Sequence, residues 1–385
     1  MKTLYFFADK IITPSRTLED GFIKVKDGII VSVGEKKQVK KADAETLDFG
    51  NSLIVPGFID IHTHGIAGVD TMDAKEESIR KMSIVNATHG VTAFLPTTVC
   101  APYNTLINVI KTVVNVKRKQ NMKAKVLGLN LEGPFVSPKK IGAMDPNYVR
   151  PPSIKEFDKL WKASGGLIKL ITIAPEVSGA LELVRHVTSR GVTVAMGHSY
   201  ASYQETIDCI KAGARHTTHL FNAMREYGHR EPGIVGAVLE SAVVSTEVIA
   251  DLIHLHPTTL RLTCAMKPED KVVLVTDAIQ ATDMPDGVYK LGKKEIYVKK
   301  GVSRLADGTL AGSTLTMEKA VRNMVFEVGV PLEQALAMAT ANPAKVLGIE
   351  NEVGSLENGK RADFAVLDKN LNVVSTFVDG KAVFN

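Results

Sequence analysis

The chain has little cysteine and no long apolar run, and both absences exclude classes of protein. Its three cysteines, Cys100, Cys209 and Cys264, are odd in number and widely spaced, so they predict neither a disulfide framework nor a zinc knuckle. No apolar stretch approaches the roughly 20 residues that a membrane span needs. The N-terminal segment meets a charge at Asp9, too early for the apolar core of a signal peptide. We therefore expect a reducing, cytoplasmic location.

Neither sign of charge dominates the chain. Its 47 basic and 42 acidic residues are interspersed and leave a net charge of only +5. Short basic runs such as Lys293-Lys294 therefore predict solvated faces, and we expect no nucleic-acid partner. The mildly basic balance favours a phosphorylated substrate over a cationic one. With 45% apolar and 23% charged residues, the composition is typical of a globular protein with a large core.

Both ends of the chain have the sequence pattern of β-strands. Asp27-Gly28 is a strong signal for a two-residue hairpin turn, and Asp379-Gly380 repeats that signal near the C-terminus. At 385 residues the chain also exceeds one ordinary domain. We therefore predict a small β-sandwich domain formed by both termini, residues 1–53 and 351–385, beside a larger domain of residues 54–350.

The middle of the chain alternates short apolar strands with helical stretches, which is the pattern of βα units and a parallel sheet. Eight strands are predicted, at residues 58–61, 93–95, 126–131, 170–173, 192–196, 216–220, 248–252 and 272–275. Helices are predicted between them, for example at residues 75–89, 103–118, 200–212 and 258–266. Eight repeats favour closure, so the predicted fold class is α/β, with a distorted (β/α)8 barrel of the TIM type.

Side chains that can bind a metal follow five of these strands: His62 and His64, Glu132, His198, His219 and Asp277. The C-terminal ends of parallel barrel strands meet at one rim, so we expect these side chains to lie together. Each has a simpler explanation, since a histidine can be hydrogen-bonded in the core and Asp277 can cap a helix. All of those explanations would have to hold at once, and we therefore favour a metal site.

The set of ligands indicates which metal and which chemistry to expect. Imidazoles with a carboxylate suit Zn²⁺, Fe²⁺ or Co²⁺. Glu132, His198 and His219 supply three ligands and leave a position for water, as in catalytic metal sites. A bound metal lowers the pKa of its water from 15.7 to about 7. Asp277 is then the expected general base, which returns the proton to a leaving amine as general acid.

Longer motifs carry a resemblance to a known family. Residues 56–65 (PGFIDIHTHG) and the segment at 354–363 are typical of amidohydrolases in general. Seven further motifs follow in order: LEGPF at 131–135, GHS at 197–199, HLFNAM at 219–224, REPG at 230–233, IAD…H at 249–254, VTDA at 275–278 and LAGS…LTM at 310–317. With them the whole chain resembles the N-acetylglucosamine-6-phosphate deacetylases of the amidohydrolase superfamily. The resemblance implies hydrolysis of the N-acetyl amide of a phosphorylated amino sugar.

The resemblance also implies roles for individual residues. Glu132, His198 and His219 match the metal ligands of the family, and Asp277 matches its catalytic aspartate. Positions assigned to substrate binding are Ala143, Met144, Asn222, Ala223, Arg230, Asp251, His254, Leu310, Ala311 and Gly312. In the family the arginine matched by Arg230 reaches the phosphate from the neighbouring subunit, which implies a homodimer.

One position departs from the family pattern. Met144 stands where a histidine that polarises the acetyl carbonyl is expected, and a thioether cannot donate a hydrogen bond. The His62-x-His64 pair is present, and relatives that keep it can hold a second metal bridged by the glutamate. A second metal at His62 and His64 would then supply the missing polarisation. The sequence leaves open whether each subunit binds one metal or two.

Two alternatives remain to be weighed. Cyclic amidases of the superfamily bridge two metals with a carboxylated lysine at the end of strand four. Here that strand ends in residues 172–176 (TIAPE), and Lys169 lies at its start. A metal-free scaffold protein, the other alternative, would be expected to have lost ligands, whereas Glu132, His198 and His219 are all present.

Overall fold

The structure is a computed structural model that describes residues 3–39, 45–119 and 122–385. The predicted N-terminal segment, residues 1–53, therefore includes positions outside the described residues. The strands are β1 Thr3–Ile12, β2 Thr17–Lys26, β3 Ile29–Glu35, β4 Glu45–Asp48, β5 Leu53–Pro56, β6 Phe58–Thr63, β7 Gly65–Ile66, β8 Val69–Asp70, β9 Val91–Thr98, β10 Lys125–Val126, β11 Leu129–Leu131, β12 Ile168–Ile173, β13 Thr193–Met196, β14 His216–Thr217, β15 Ser245–Val248, β16 Val272–Leu274, β17 Gly287–Leu291, β18 Lys294–Lys299, β19 Val302–Arg304, β20 Phe364–Leu367, β21 Val373–Val378 and β22 Lys381–Phe384.

The helices alternate with the strands of the middle region. They are α1 Glu76–Thr88, α2 Tyr103–Lys119, α3 Ile154–Ser164, α4 Ala180–Thr188, α5 Tyr203–Ala212, α6 Gly233–Glu240, α7 Pro257–Met266, α8 Met317–Asn323, α9 Leu332–Ala339 and α10 Ala341–Leu347. Within the described ranges, none of these helices combines the length and apolar character needed to cross a bilayer.

The middle region is a parallel barrel, which confirms the predicted fold class. Its strands pair in the order β6-β9-β11-β12-β13-β14-β15-β16, with β10 as a short extra pairing on β9. The two ends of this order meet where Asp277 N donates to His62 O at 2.9 Å and Thr63 bridges Ala278. Both faces of the strands are covered, so they are near-continuous apolar runs that build the largest core of the molecule. The barrel is distorted because β14 is only two residues long.

Strands from both ends of the chain form a separate sheet beside the barrel. It runs β22-β21-β20-β5-β1-β2-β3, and β4 also pairs with β1. Phe6 packs edge-on against Phe364 and Phe377, with ring centroids 4.9 and 5.1 Å apart, so both termini share one core. The hairpin turn at Asp27-Gly28 is confirmed, with φ values of 52° and 80° that fit a primed turn. The domain boundaries at residues 53/54 and 350/351 stay a prediction.

Three of the predicted barrel strands differ from the observed ones. The predicted strand 126–131 is split into β10 and β11 at residues 127–128, where the backbone of Gly128 passes too close to the carbonyl oxygen of Leu167 to leave room for a side chain. The predicted strand 216–220 ends at Thr217, since the chain turns before His219, whose φ is 22°. The prediction of a strand at 248–252 was wrong, because the strand begins and ends earlier in the chain. The strand is β15, Ser245–Val248. It contains the charged residue Glu247 and therefore lacks the apolar run by which a buried strand is predicted.

Candidate metal centre and active site

Strand ends of the barrel bring six polar side chains together in its mouth. The histidines of the His-x-His pair lie at the end of β6, and the other four residues follow β11, β13, β14 and β16. All six are buried, with at most 7% of the residue surface exposed. They are His62, His64, Glu132, His198, His219 and Asp277.

Glu132 lies at the centre of this cluster. Its Oε1 atom is 2.9 Å from His219 Nε2 and 3.0 Å from His198 Nε2. Its Oε2 atom is 3.3 Å from His64 Nε2, and Oε1 is 3.5 Å from His62 Nε2. Two ligand groups, one with His62 and His64 and one with His198 and His219, therefore share this carboxylate.

The tautomers of two histidines show that the cluster is suited to a cation. His198 Nδ1 lies 3.0 Å from the carbonyl oxygen of Lys140, and His64 Nδ1 lies 3.2 Å from that of Thr97. Because a carbonyl oxygen only accepts, each Nδ1 carries a proton, and Nε2 is the ring atom that is left to bind a metal when the ring is neutral. Nε2 atoms also face each other, at 3.1 Å between His198 and His219. Two Nε2 atoms at this distance could both bind one cation placed between them.

The pKa shifts in the cluster point to the same need for positive charge. Burial opposes the charged form of His64, but hydrogen bonds to Asp277 and Glu132 outweigh it and raise its pKa to about 10. Burial likewise would raise the pKa of Glu132, yet the charge of His62 and His198 holds it well below its usual range. The ligand atoms thus fit a divalent metal, which would supply this charge in place of protons.

Backbone strain is concentrated at the same residues. His198, His219 and Asp277 have φ values of 46°, 22° and 49°, in the left-handed region that non-glycine residues rarely adopt. Such positions cost on the order of 1–3 kcal/mol each and cluster at functional sites. Backbone hydrogen bonds hold them in place, among them Ser137 N to His198 O at 2.8 Å. The strain turns each side chain into the mouth directly after its strand.

Sequence reasoning missed Glu247, which supports the cluster from below. This carboxylate is fully buried in β15 and accepts from His62 Nδ1 at 2.9 Å, His216 Nε2 at 3.1 Å and His219 N at 3.0 Å. Burial would raise the pKa of Glu247, but the charges and hydrogen bonds of His62 and His216 lower it. The one available signal was an acidic residue inside an otherwise uncharged strand.

A cavity of about 390 Å³ opens above the cluster. The residues assigned to substrate binding that line it are Ala143, Met144, Asn222, Ala223, His254, Leu310 and Gly312. Lining residues that sequence reasoning missed are Val99, Lys139, Lys140, Ile141, Gly142, Leu291 and Thr309. Most of these come from loops that have no strand-end signal.

Three assigned residues do not line the cavity. Ala311 is buried behind it, against Val99 and Leu291. Asp251 Oδ2 accepts from His254 Nδ1 at 2.7 Å, so Asp251 orients the ring that does line the cavity. Arg230 is exposed on the segment before α6, outside this cavity.

Met144 is buried and packs with Cys100 and Val136 beside the cavity. Its carbonyl oxygen accepts from Lys294 Nζ at 2.7 Å, which ties the loop after β11 to the β17–β18 hairpin. The described residues place no lysine at the C-terminal end of β12. Lys169 lies at the other end of that strand, near Gly128, which argues against a carboxylated-lysine site.

Comparisons with known proteins agree with this geometry. The model of the amidohydrolase family matches residues 53–383. The N-acetylgalactosamine-6-phosphate deacetylase of Escherichia coli O157:H7 is 40% identical, over 97% of each chain. The N-acetylglucosamine-6-phosphate deacetylase of Bacillus subtilis is 36% identical, over 97% of this chain and 95% of the relative.

A solved structure matches equally completely. A variant of the N-acetyl-D-glucosamine-6-phosphate deacetylase of Mycobacterium smegmatis superposes with a TM-score of 0.94 at 34% identity, covering all of both chains. The resemblance inferred from the motifs is thereby confirmed. The chain belongs to the amidohydrolase family and, within it, to the N-acetylglucosamine-6-phosphate deacetylases.

Proposed function

We propose that this enzyme hydrolyses the N-acetyl group of N-acetylglucosamine 6-phosphate to give glucosamine 6-phosphate and acetate, in amino-sugar catabolism or recycling. The observation that carries the proposal is the position of Glu132, between two pairs of imidazoles and under the cavity. The M. smegmatis relative was solved in complex with N-acetyl-D-glucosamine-6-phosphate, which supports the same substrate here.

Glu132, His198 and His219 would hold the metal, for which Zn²⁺, Fe²⁺ and Co²⁺ are the candidates. His62 and His64 would hold a second ion, and Glu132 would belong to both sites. When bound, the metal acts as a Lewis acid on the amide carbonyl and lowers the pKa of a water to about 7.

Asp277 is the proton carrier of the proposed reaction. Burial would raise its pKa, but the hydrogen bond from His64 and the charge of His62 keep it lowered, so the carboxylate is ionised at neutral pH. It accepts a proton from the attacking water as the new C–O bond forms. It then donates that proton to the amide nitrogen as the C–N bond breaks, which releases a neutral amine.

Asn222, Ala223 and His254 are proposed to hold the sugar phosphate, with Arg230 supplied by a second subunit. Arg230 is exposed in its own subunit, and Tyr227, three residues before it, is 60% exposed. The side chains of Val243, Leu262, Met266 and Phe326 are 55–58% exposed around α7. Exposed apolar clusters of this kind mark protein interfaces, which supports a homodimer.

A complementation experiment tests the shared site. Arg230→Ala and Asp277→Asn are each expected to impair the enzyme when purified alone. If Arg230 acts across the dimer interface, reassociated mixtures contain heterodimers with one intact site, and about one quarter of wild-type activity returns. No recovery in a mixture that light scattering shows to be dimeric would contradict the assignment of Arg230.

The reaction is tested by measuring acetate release from phosphorylated and unphosphorylated N-acetylglucosamine with each of the three metals. Turnover of the phosphorylated sugar, with a much higher KM for the unphosphorylated one, is expected. If neither sugar releases acetate with any of the three metals, the proposal is wrong.

A second candidate substrate is the 4-epimer, N-acetylgalactosamine 6-phosphate. The 40% identical E. coli relative carries the name of a deacetylase for that sugar, which favours including it. The ratio of kcat/KM values for the two epimers decides which one is the better substrate.

A further inference from the structure

A second cavity adjoins the active-site cavity, and the proposed function does not use it. Its volume is about 230 Å³. The two cavities share a wall made of four apolar residues, Val99, Ala143, Met144 and Leu291. We call these four residues the shared wall. Behind it the second cavity continues along Ala101 and Pro102, and its lining also includes the charged residues Asp70, Asp73, Asp145, Lys290, Lys293 and Lys294.

The shared wall lies beside the central carboxylate. A side chain at Gly133, directly after Glu132, would meet Cys100 Sγ at 2.6 Å and Met144 Sδ at 3.8 Å. Val99 follows β9, which is the neighbour of β11 on one side. Asn222 follows β14, which lies three strands beyond β11 on the other side. Val99 of the shared wall and Asn222 of the proposed phosphate side are therefore on opposite sides of the barrel mouth.

The geometry of an amide then determines where the acyl chain points. A secondary amide is planar and trans, so its acyl chain and its nitrogen substituent extend in opposite directions. In the proposed reaction the amide lies over Glu132 and Asp277, and the sugar phosphate extends towards Asn222. The acyl chain consequently extends towards the shared wall.

The side chain of Met144 can move and so open the shared wall. Methionine is unbranched and has three rotatable side-chain bonds, so it repacks around groups of different shape at little cost. The side chain of Met144 contacts the apolar cluster of Cys100 and Val136, while its backbone is fixed through Lys294. A histidine at this position would be stiffer and would need hydrogen-bond partners.

From this arrangement we propose that the second cavity is an acyl subsite. It allows the enzyme to hydrolyse 2-amino-sugar 6-phosphates whose N-acyl group is one or two methylene groups longer than acetyl. The proposal rests on the proposed deacetylation. The reaction is the same: water adds to the acyl carbon, the C–N bond breaks, and propionate or butyrate leaves instead of acetate.

A buried carboxyl group limits the length of the chain. Asp70 lines the second cavity and is 3% exposed, and its Oδ2 atom has no hydrogen-bond partner among the described residues. A longer apolar chain would be pressed against this polar group, which is unfavourable. The subsite therefore fits short acyl chains and excludes fatty ones.

The test compares N-acetyl, N-propionyl, N-butyryl and N-octanoyl glucosamine 6-phosphate by release of the free amine. We expect kcat/KM for the propionyl and butyryl compounds within about tenfold of the acetyl value, and no turnover of the octanoyl compound. Thr105→Phe fills the second cavity from α2 without touching the active-site cavity. It should lower kcat/KM for the butyryl compound at least tenfold and leave the acetyl value within twofold.

Asn104→Phe is the matched control, because Asn104 is exposed on the same helix and lines neither cavity. It should change none of the values. If the wild-type enzyme hydrolyses the acetyl compound but its kcat/KM for the butyryl compound is more than about tenfold lower, the subsite alone is overturned. An equal loss on acetyl and butyryl compounds in Thr105→Phe would also overturn it. Absence of acetyl hydrolysis with every metal would instead overturn the proposed function and the subsite with it.

Discussion

The active-site cavity has a floor and a wall that the chain builds in different ways. The floor is the buried cluster of six side chains that can bind a metal, each in a barrel strand or within three residues of its end. The wall of the whole cavity, which is larger than the shared wall defined above, comes from loops. These are chiefly residues 139–144 after β11 and residues 291–312 in and around the three-stranded sheet β17-β18-β19, the insertion. The geometry of the barrel fixes the positions of side chains at the strand ends, whereas loops vary in sequence and conformation. Changes in the floor should therefore abolish the reaction, and changes in the wall should retune it.

The largest effect is expected at the floor, for Asp277→Asn. The amide keeps the size of the side chain but cannot accept a proton, so kcat should fall by about 10³-fold or more. Glu132, His198 and His219 are untouched, so the metal content per subunit should stay at the wild-type value. Single-turnover rates and elemental analysis measure the two quantities. Loss of the metal together with activity would show that Asp277 is a principal ligand.

The next effect concerns the support beneath the floor. Glu247→Gln retains a group of the same shape but removes the charge that holds His62 and His216. Outer partners of ligating histidines commonly change metal affinity 10- to 100-fold. We expect the apparent metal Kd to rise by that factor while kcat at saturating metal stays within about tenfold. Competition with a chelator measures the Kd. An unchanged Kd would mean that the tautomer of His62 does not matter to the site.

This difference between floor and support also explains how much could be predicted from sequence. An apolar strand followed by a polar residue can be predicted from sequence, and residues 272–275 before Asp277 are a clear case. Glu247 was missed because it lies inside its strand, and its partners His62 and His216 come from other parts of the chain. Wall residues such as Leu291 depend on how the insertion docks, which no local pattern encodes.

The third prediction tests the boundary between floor and wall. If each subunit binds two metals, His62→Asn should leave one and lower kcat about tenfold, because one source of carbonyl polarisation is lost. Adding Met144→His should restore part of kcat, since an imidazole can donate to the acetyl oxygen and a thioether cannot. Metal content and kcat are measured for both variants. A His62→Asn enzyme with one metal and an unchanged kcat would exclude a catalytic second ion.

The smallest effect is expected in the wall, at Lys139. Lys139 and Lys140 line the cavity, and their Nζ atoms lie 5.2 and 5.9 Å from the ring centroid of Tyr200. Arg225 Cζ lies 5.0 Å from the same ring, so three cations surround one exposed tyrosine at the mouth of the cavity. A cluster of this kind attracts an approaching phosphate, but it acts through solvent and salt weakens it.

Lys139→Gln should therefore raise KM for the phosphorylated substrate only about two- to fivefold at low ionic strength, with kcat unchanged. The effect should shrink when salt is added and should be absent for the unphosphorylated sugar. Lys155→Gln, at an exposed position of α3, removes the same charge away from the cavity and serves as the control. Steady-state kinetics at two salt concentrations decide the matter. A rise in KM that is equal for both sugars, or independent of salt, would show that Lys139 shapes the wall and does not attract the phosphate.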